Sequence, residues 1–265
     1  MRNTARVLLL PIALLWLAAV LTPLVFVLRM SLYSRGNVSG EKWLDALFYQ
    51  PGTWSLESFA KVLTESYYQR MFGFTATLAL VVTAFTLLIG YVLGYAIYRA
   101  TIKHKIALIL LITLPKFTNI LVFVYGVKMI FGANGFIPVV VGETMMLVPY
   151  AALTISAALE GVPYHLIEAA RGLGASSASA FWRVTLPLSM PGVSAAAIFT
   201  LLWSASAFLG PYMLGEPAHY TIAVEVERQM HQDMNWTIAA ALNVTLIAVL
   251  ALAAFVLTAL RRRLA

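Results

Sequence analysis

The chain has 265 residues, 61% of them hydrophobic and only 11% charged, with a mean hydropathy of +0.85. A soluble domain is only about half apolar, so this composition excludes a water-soluble fold and indicates a membrane protein. The net charge of +7 sits in short clusters at the ends of apolar runs, which argues against nucleic acid as a partner, and the lack of cysteine removes disulfides, thiolate metal sites and a cysteine nucleophile.

Crossing a bilayer takes about 20 helical residues. Six stretches meet that length: Val7 to Leu28, Phe72 to Tyr98, Ile106 to Phe131, Phe136 to Ala158, Leu188 to Tyr212 and Trp236 to Leu260. Arg2 and Arg6 give the first the look of a signal peptide, but its length and the lack of a small-x-small cleavage site predict an uncleaved span. Residues 30–70 follow, with the turn-rich pieces SRGNVSG and QPGTWS and then SLESFAKVL, where Ser55 or Ser58 is placed to cap a short amphipathic helix. Near the other end, Gly210 to Asn235 begins GPYMLGEPAHY and carries Glu225, Glu227, His231 and Asp233. Both segments are candidates to receive a soluble partner, against the plainer reading as solvated connectors. The N-x-S/T triplets at Asn37, Asn235 and Asn243 carry no functional weight, since such triplets are common by chance.

Basic residues in the short connections set the orientation. With six spans, Arg2 and Arg6, then Arg99, Lys103 and Lys105, then Arg171 and Arg183, and finally Arg261, Arg262 and Arg263 fall on one side, which predicts cytoplasmic termini. The opposite short loops offer Lys128 and Arg228. The basic residues of Arg29 to Arg70 are balanced by Glu41, Asp45, Glu57 and Glu65.

The segment Glu168 to Pro187, EAARGLGASSASAFWRVTLP, is a long stretch of mixed polarity between two apolar runs. It predicts a helix, a tight turn at Gly174 and a second short helix stopped by Pro187. Ala169 and Ala170 leave a smooth helical face, and Gly174 permits positive φ where the chain reverses. The pattern EAA, three residues, Gly, nine residues, then Val184-Thr185-Leu186-Pro187 resembles the cytoplasmic EAA signature of the permease subunits of bacterial binding-protein-dependent ABC importers, with Val184 where that family more often has Ile. Within the family, LPKFTNILVFVYGVKMIF (Leu114 to Phe131) and LPLSMPG followed by FLGPYMLGE are similar to the spermidine/putrescine branch, although permeases for opines, thiamine, ferric iron and aminophosphonates share much of this pattern.

The resemblance implies an all-α membrane protein, a six-helix type I (MetI-like) importer permease bundle with both termini cytoplasmic. Residues 1–265 would be a single polytopic domain with a periplasmic loop at 30–70 and a cytoplasmic coupling loop at 159–187. It implies a cytoplasmic ABC ATPase dimer, a second permease subunit, a periplasmic solute-binding protein and membrane lipid as partners. The solute would be small and charged, polyamine or opine-like. In the coupling loop, Ala169, Ala170 and Leu173 would supply close contact to the ATPase and Gly174 the turn. Glu168 would pair with a basic residue or cap local backbone, with Arg171, Leu186 and Pro187 completing the motif. An amphipathic helix lying at the lipid headgroups is the competing reading of this loop.

No GxxxxGK[ST] loop is present, so ATP hydrolysis is assigned to another subunit, and no catalytic constellation, cofactor motif or metal-ligand spacing appears around His104, His165, His219 or His231. Charges inside spans are costly and tend to face the bundle interior, to pair, or to line a solute path. Lys116, about ten residues into the third predicted span, and Glu143, some seven into the fourth, lie at similar depth and either pair or contact solute. Asn119, one helical turn above Lys116, and Tyr125 and Ser204 complete the candidate pathway. A self-sufficient carrier or channel using Lys116 and Glu143 is the alternative, but it leaves the EAA spacing unexplained.

Overall fold

The computed structural model describes residues 2–34, 53–132 and 134–264, and among these the backbone is almost wholly helical. SRGNVSG beyond Ser34, the acidic pair Glu41 and Asp45, and the Asn37 triplet lie outside the described residues. Hydrocarbon offers no partner for backbone N–H and C=O groups, so long apolar runs become long helices. In chain order these are α1 (Arg2–Ser31), α2 (Glu57–Thr64), α3 (Ser66–Arg99), α4 (Ile102–Thr113), α5 (Ile120–Phe131), α6 (Phe136–Glu160), α7 (Tyr164–Gly172), α8 (Ser177–Ala180), α9 (Leu186–Ala205), α10 (Leu209–Leu214), α11 (Ile222–His231) and α12 (Trp236–Leu264). Five of the resulting helical runs are long and apolar enough to cross a membrane, or six if α4 and α5 count as one broken span. Ser55 lies two residues before α2 and its hydroxyl accepts the Glu57 N–H at 3.0 Å, while the N-cap position itself falls on Leu56 and not on Ser55 or Ser58.

Two expected spans are corrected. The third is not continuous: α4 passes into a 3-10 turn at Leu114–Phe117, and the halves meet at 96°. Pro115 withdraws an N–H and crowds the carbonyl four residues back. Thr118 is extended, and the Asn119 side chain then accepts the Leu121 N–H at 2.8 Å, starting α5 in a new direction. Asn119 therefore does not stand one turn above Lys116 on a shared face. The fifth span begins earlier and ends earlier than Leu188 to Tyr212. Helical structure is nearly continuous from Ser177 to Ala205, and α10 follows as a separate short helix. Pro187 does not stop a helix, because a π turn over Phe181–Thr185, closed by the Leu186 N–H on the Phe181 carbonyl, widens the coil just before the ring.

The helices form two compact units, each described by itself. In the unit of residues 1–70 and 225–249, Val62, Tyr68, Ala241 and Leu242 are buried, and Tyr33 bridges Trp54 with ring centroids 4.8 Å apart. In the unit of residues 71–224 and 250–265, α6 is the axis. Leu78 and Val82 of α3, Val124 and Val127 of α5 and Leu214 of α10 pack with Val139, Val140 and Leu147 of α6, and Ala196 of α9 packs with Ala151, Ile155 and Leu159. Lipid tails supply no hydrophobic drive between helices, so association depends on close approach of backbones. Gly90-x-x-x-Gly94 supplies it: a Cβ at Gly94 would stand 2.8 Å from the Ala152 carbonyl oxygen, and one at Gly90 2.8 Å from the Ala151 Cβ.

Candidate functional site

The segment between α6 and α9 folds into an elbow with a fixed base and a free tip. Pro163 precedes α7, whose end is closed by two backbone bonds, Ala175 N–H to the Ala170 carbonyl at 3.0 Å and Gly174 N–H to the Arg171 carbonyl at 3.0 Å. This is the Schellman arrangement, which places its penultimate residue in the left-handed region. Gly174 has φ +90° there, as the sequence predicts. The second arm starts with Ser176, whose hydroxyl accepts the Ser179 N–H at 3.2 Å. Phe181 anchors that arm to α3 through Tyr95 and Tyr91, with ring centroids 5.4 Å and 5.9 Å apart, and the Tyr91 hydroxyl meets Ser189 at 3.0 Å. At the base, Lys105 of α4 forms an ion pair with Glu160 at the end of α6.

The tip is bare among the described residues. Leu173 is 91% exposed and Trp182 65%, while Glu168, Ala169, Arg171 and Gly174 are exposed and Ala170 half-buried. Glu168, expected to pair or cap, makes no hydrogen bond or ion pair among the described residues. Leu186 is half-buried and Pro187 exposed, both in the first turn of α9 and away from the tip.

The second cluster surrounds the break between α4 and α5. Lys116 does not form an ion pair with Glu143; its ammonium stands 4.5 Å from the centre of the Tyr150 ring, a cation–π contact. Glu143 is 5% exposed and lines a recess of about 310 Å³ with Ile120, Met146, Trp203, Ser206 and the Ala207 to Gly210 turn. It lies so close to Gly210 that a Cβ there would collide with the Glu143 Oε1. The break thus brings Ile120, the first residue of α5, into the recess with the carboxylate, while Asn119 is not part of its wall. Ser204 does not line the recess: it is fully buried and its hydroxyl has no partner, whereas Ser206 takes that place. Tyr125 projects from α5 about half exposed and is not part of the recess wall. Sequence reasoning missed Tyr150 and Trp203. Their only signal was position, since Glu143, Met146 and Tyr150 recur at helical spacing and so face one side of α6.

A third cluster corrects an expectation. Glu225 was a candidate for meeting a soluble partner, yet it is fully buried. Its oxygens accept Arg228 at 2.9 and 2.7 Å, Gln229 at 2.8 Å and the Tyr67 hydroxyl at 2.9 Å. The hydrogen bond to Glu225 holds the Arg228 guanidinium even more firmly protonated than usual, and Arg228 also reaches Asp233 at 3.1 Å. Glu227 remains partly exposed beside His231.

Residues 104–265, more than half of the chain, match the model of the binding-protein-dependent transport system inner membrane component. The chain belongs to that family. The permease is similar to the spermidine/putrescine transport system permease protein PotB of Haemophilus influenzae, 27% identical over 76% of this chain and 78% of that one. The PotB of Escherichia coli is 26% identical, covering 75% and 79%. Among solved structures, a bacterial ABC transporter for import of the acidic polysaccharide alginate superposes with TM-score 0.74 at 17% identity, covering 98% of this chain and 95% of that one. The MetNI methionine transporter superposes with TM-score 0.64 at 21% identity, over 74% and 95%. These show the expected MetI-like importer fold. The permease is a multi-pass inner-membrane protein and a transport subunit, and in its family ATP hydrolysis belongs to a separate subunit.

Proposed function

We propose that this permease pairs with a second permease subunit to form the pathway of an ATP-driven importer, receiving a small charged solute of polyamine or opine-like type from a periplasmic binding protein. The observation that carries this reading is the bare elbow: a helix closed by a left-handed Gly174, with Leu173 projecting away from every other described residue. Glu168, Ala169, Ala170, Arg171, Leu173 and Gly174 form the knob that seats in a groove of the ATPase. Leu186 and Pro187 carry its displacement into α9, and the clustering of Lys and Arg puts this face and both termini in the cytoplasm. Movement of the groove on ATP binding then rocks the helices and exposes the solute path to each side in turn. Glu143, and the approach to it past Lys116, Asn119 and Tyr125, make up the path, with Ser206 in the place expected of Ser204; a buried carboxylate favours a cation, as do the names of the PotB relatives.

The test is reconstitution with the ATPase and binding protein in liposomes. ATP-dependent uptake of putrescine or spermidine, with the ATPase recovered in stoichiometric amount, is the expected result. Uptake by the isolated chain driven by an ion gradient would replace the importer with a carrier.

A further inference from the structure

Glu143 is buried and makes no hydrogen bond or close ion pair among the described residues; Lys116 is the positive charge that acts on it, from a distance, and a buried carboxylate so thinly compensated is costly unless a cation comes nearer. Seven residues along the same face of α6, about 10 Å at helical rise, Tyr150 closes a triangle of rings with two residues of α9. Its centroid lies 5.4 Å from Phe199 and 6.0 Å from Trp203, and those two lie 5.6 Å apart. Trp203 joins the two features, since it also walls the recess that holds Glu143. The Tyr150 face is already occupied by the Lys116 ammonium at 4.5 Å.

We infer that this surface is a binding subsite for a primary alkylammonium, with Glu143 as its anion and Tyr150 and Trp203 as its walls, and that Lys116 is a tethered occupant which an arriving amine displaces. The inference rests on the reading of the chain as an importer permease. The ligand class follows from the occupant itself, because a lysine side chain is an ammonium on a four-carbon stem. Aromatic faces and a carboxylate both select positive charge, and charged groups avoid hydrocarbon, so this face is turned from lipid. Lys116 rides on the 3-10 turn of the broken span rather than within a regular helix. A small change at the break releases it without rotating a whole span. A neutral solute has nothing with which to displace it, so the tethered ammonium acts as a selectivity filter as well as a plug.

Retention of radiolabelled putrescine by the detergent-purified permease and ATPase assembly, without binding protein, tests this. Lys116→Met removes the competitor and is expected to tighten retention about fivefold, the scale of a partly exposed cation–π contact. Lys116→Arg, which keeps a cation over the ring, restores wild-type retention. Glu143→Gln and Tyr150→Leu weaken it by about tenfold and fivefold, with stoichiometric ATPase recovery and unchanged melting showing that each variant is assembled. Unaltered retention in Lys116→Met, or wild-type retention in Glu143→Gln and Tyr150→Leu, overturns the subsite. ATP-driven putrescine import by the wild type with no retention by any form also overturns it and leaves the importer reading intact. Failure of ATP-driven import of any amine removes both.

Discussion

At the elbow, Leu173 and Trp182 stand in solvent and Glu168 makes no hydrogen bond or ion pair among the described residues, while the turn is shaped by backbone bonds, the Ser176 cap and the Phe181 anchor. Around Glu225 the arrangement is reversed: a fully buried carboxylate is saturated by donors from Arg228, Gln229 and Tyr67. The difference teaches how to read a charge in this protein. A buried polar group with all its bonds made is locked and has no capacity left for a partner. An exposed apolar side chain on a rigid backbone has its contact surface still unspent.

Substitutions that exchange these properties test the contrast. The largest effect belongs to Glu225→Leu, which strands the donors around a buried site and should cost about 3–5 kcal/mol, as removal of one member of a buried ion pair does. A thermal-melting series on the purified assembly reads this, and an unchanged midpoint would show the cluster to be ornamental. Gly174→Val comes next. Its left-handed φ costs a β-branched residue about 1–2 kcal/mol or more, so the protein inserts and melts a few degrees lower, but copurification of the ATPase and uptake are lost. Retained coupling in that variant would detach the elbow from its role. Smallest is Lys105→Ala at the elbow's base, where a partly exposed pair is worth about 0–1 kcal/mol; melting should barely move, and a large drop would mean that the base, not the tip, is the sensitive part.

The elbow was legible because its information is local. Spacing from Glu168 to Gly174 sets a helix and its end, and a glycine at the closing position is required by backbone sterics alone. The knob residues are exposed, so nothing distant alters them. The break at Pro115 was half legible: Pro115 and Asn119 are the stop and start signals that the structure uses, but the hydropathy of the surrounding run hides them, since apolar length reports burial in lipid and says nothing of direction. Ser204 failed as a path residue because which side of α9 faces the recess depends on how α9 packs on α6 and on where Ser206 begins the turn. Glu225 failed for a related reason, as its donors include Tyr67, far away in sequence.

The chain alone therefore determined the apolar helices, the helix-turn at Gly174, the lack of a nucleotide-binding loop, and the family. Those follow from composition and short-range spacing, which act before the helices meet. Tertiary structure decided that the third span bends at 96°, that Lys116 rests on Tyr150 rather than on Glu143, and that Glu225 is closed to partners. Each of these depends on which faces of distant helices come together, and the close packing that fixes those faces is set by interhelical contact rather than by any single segment.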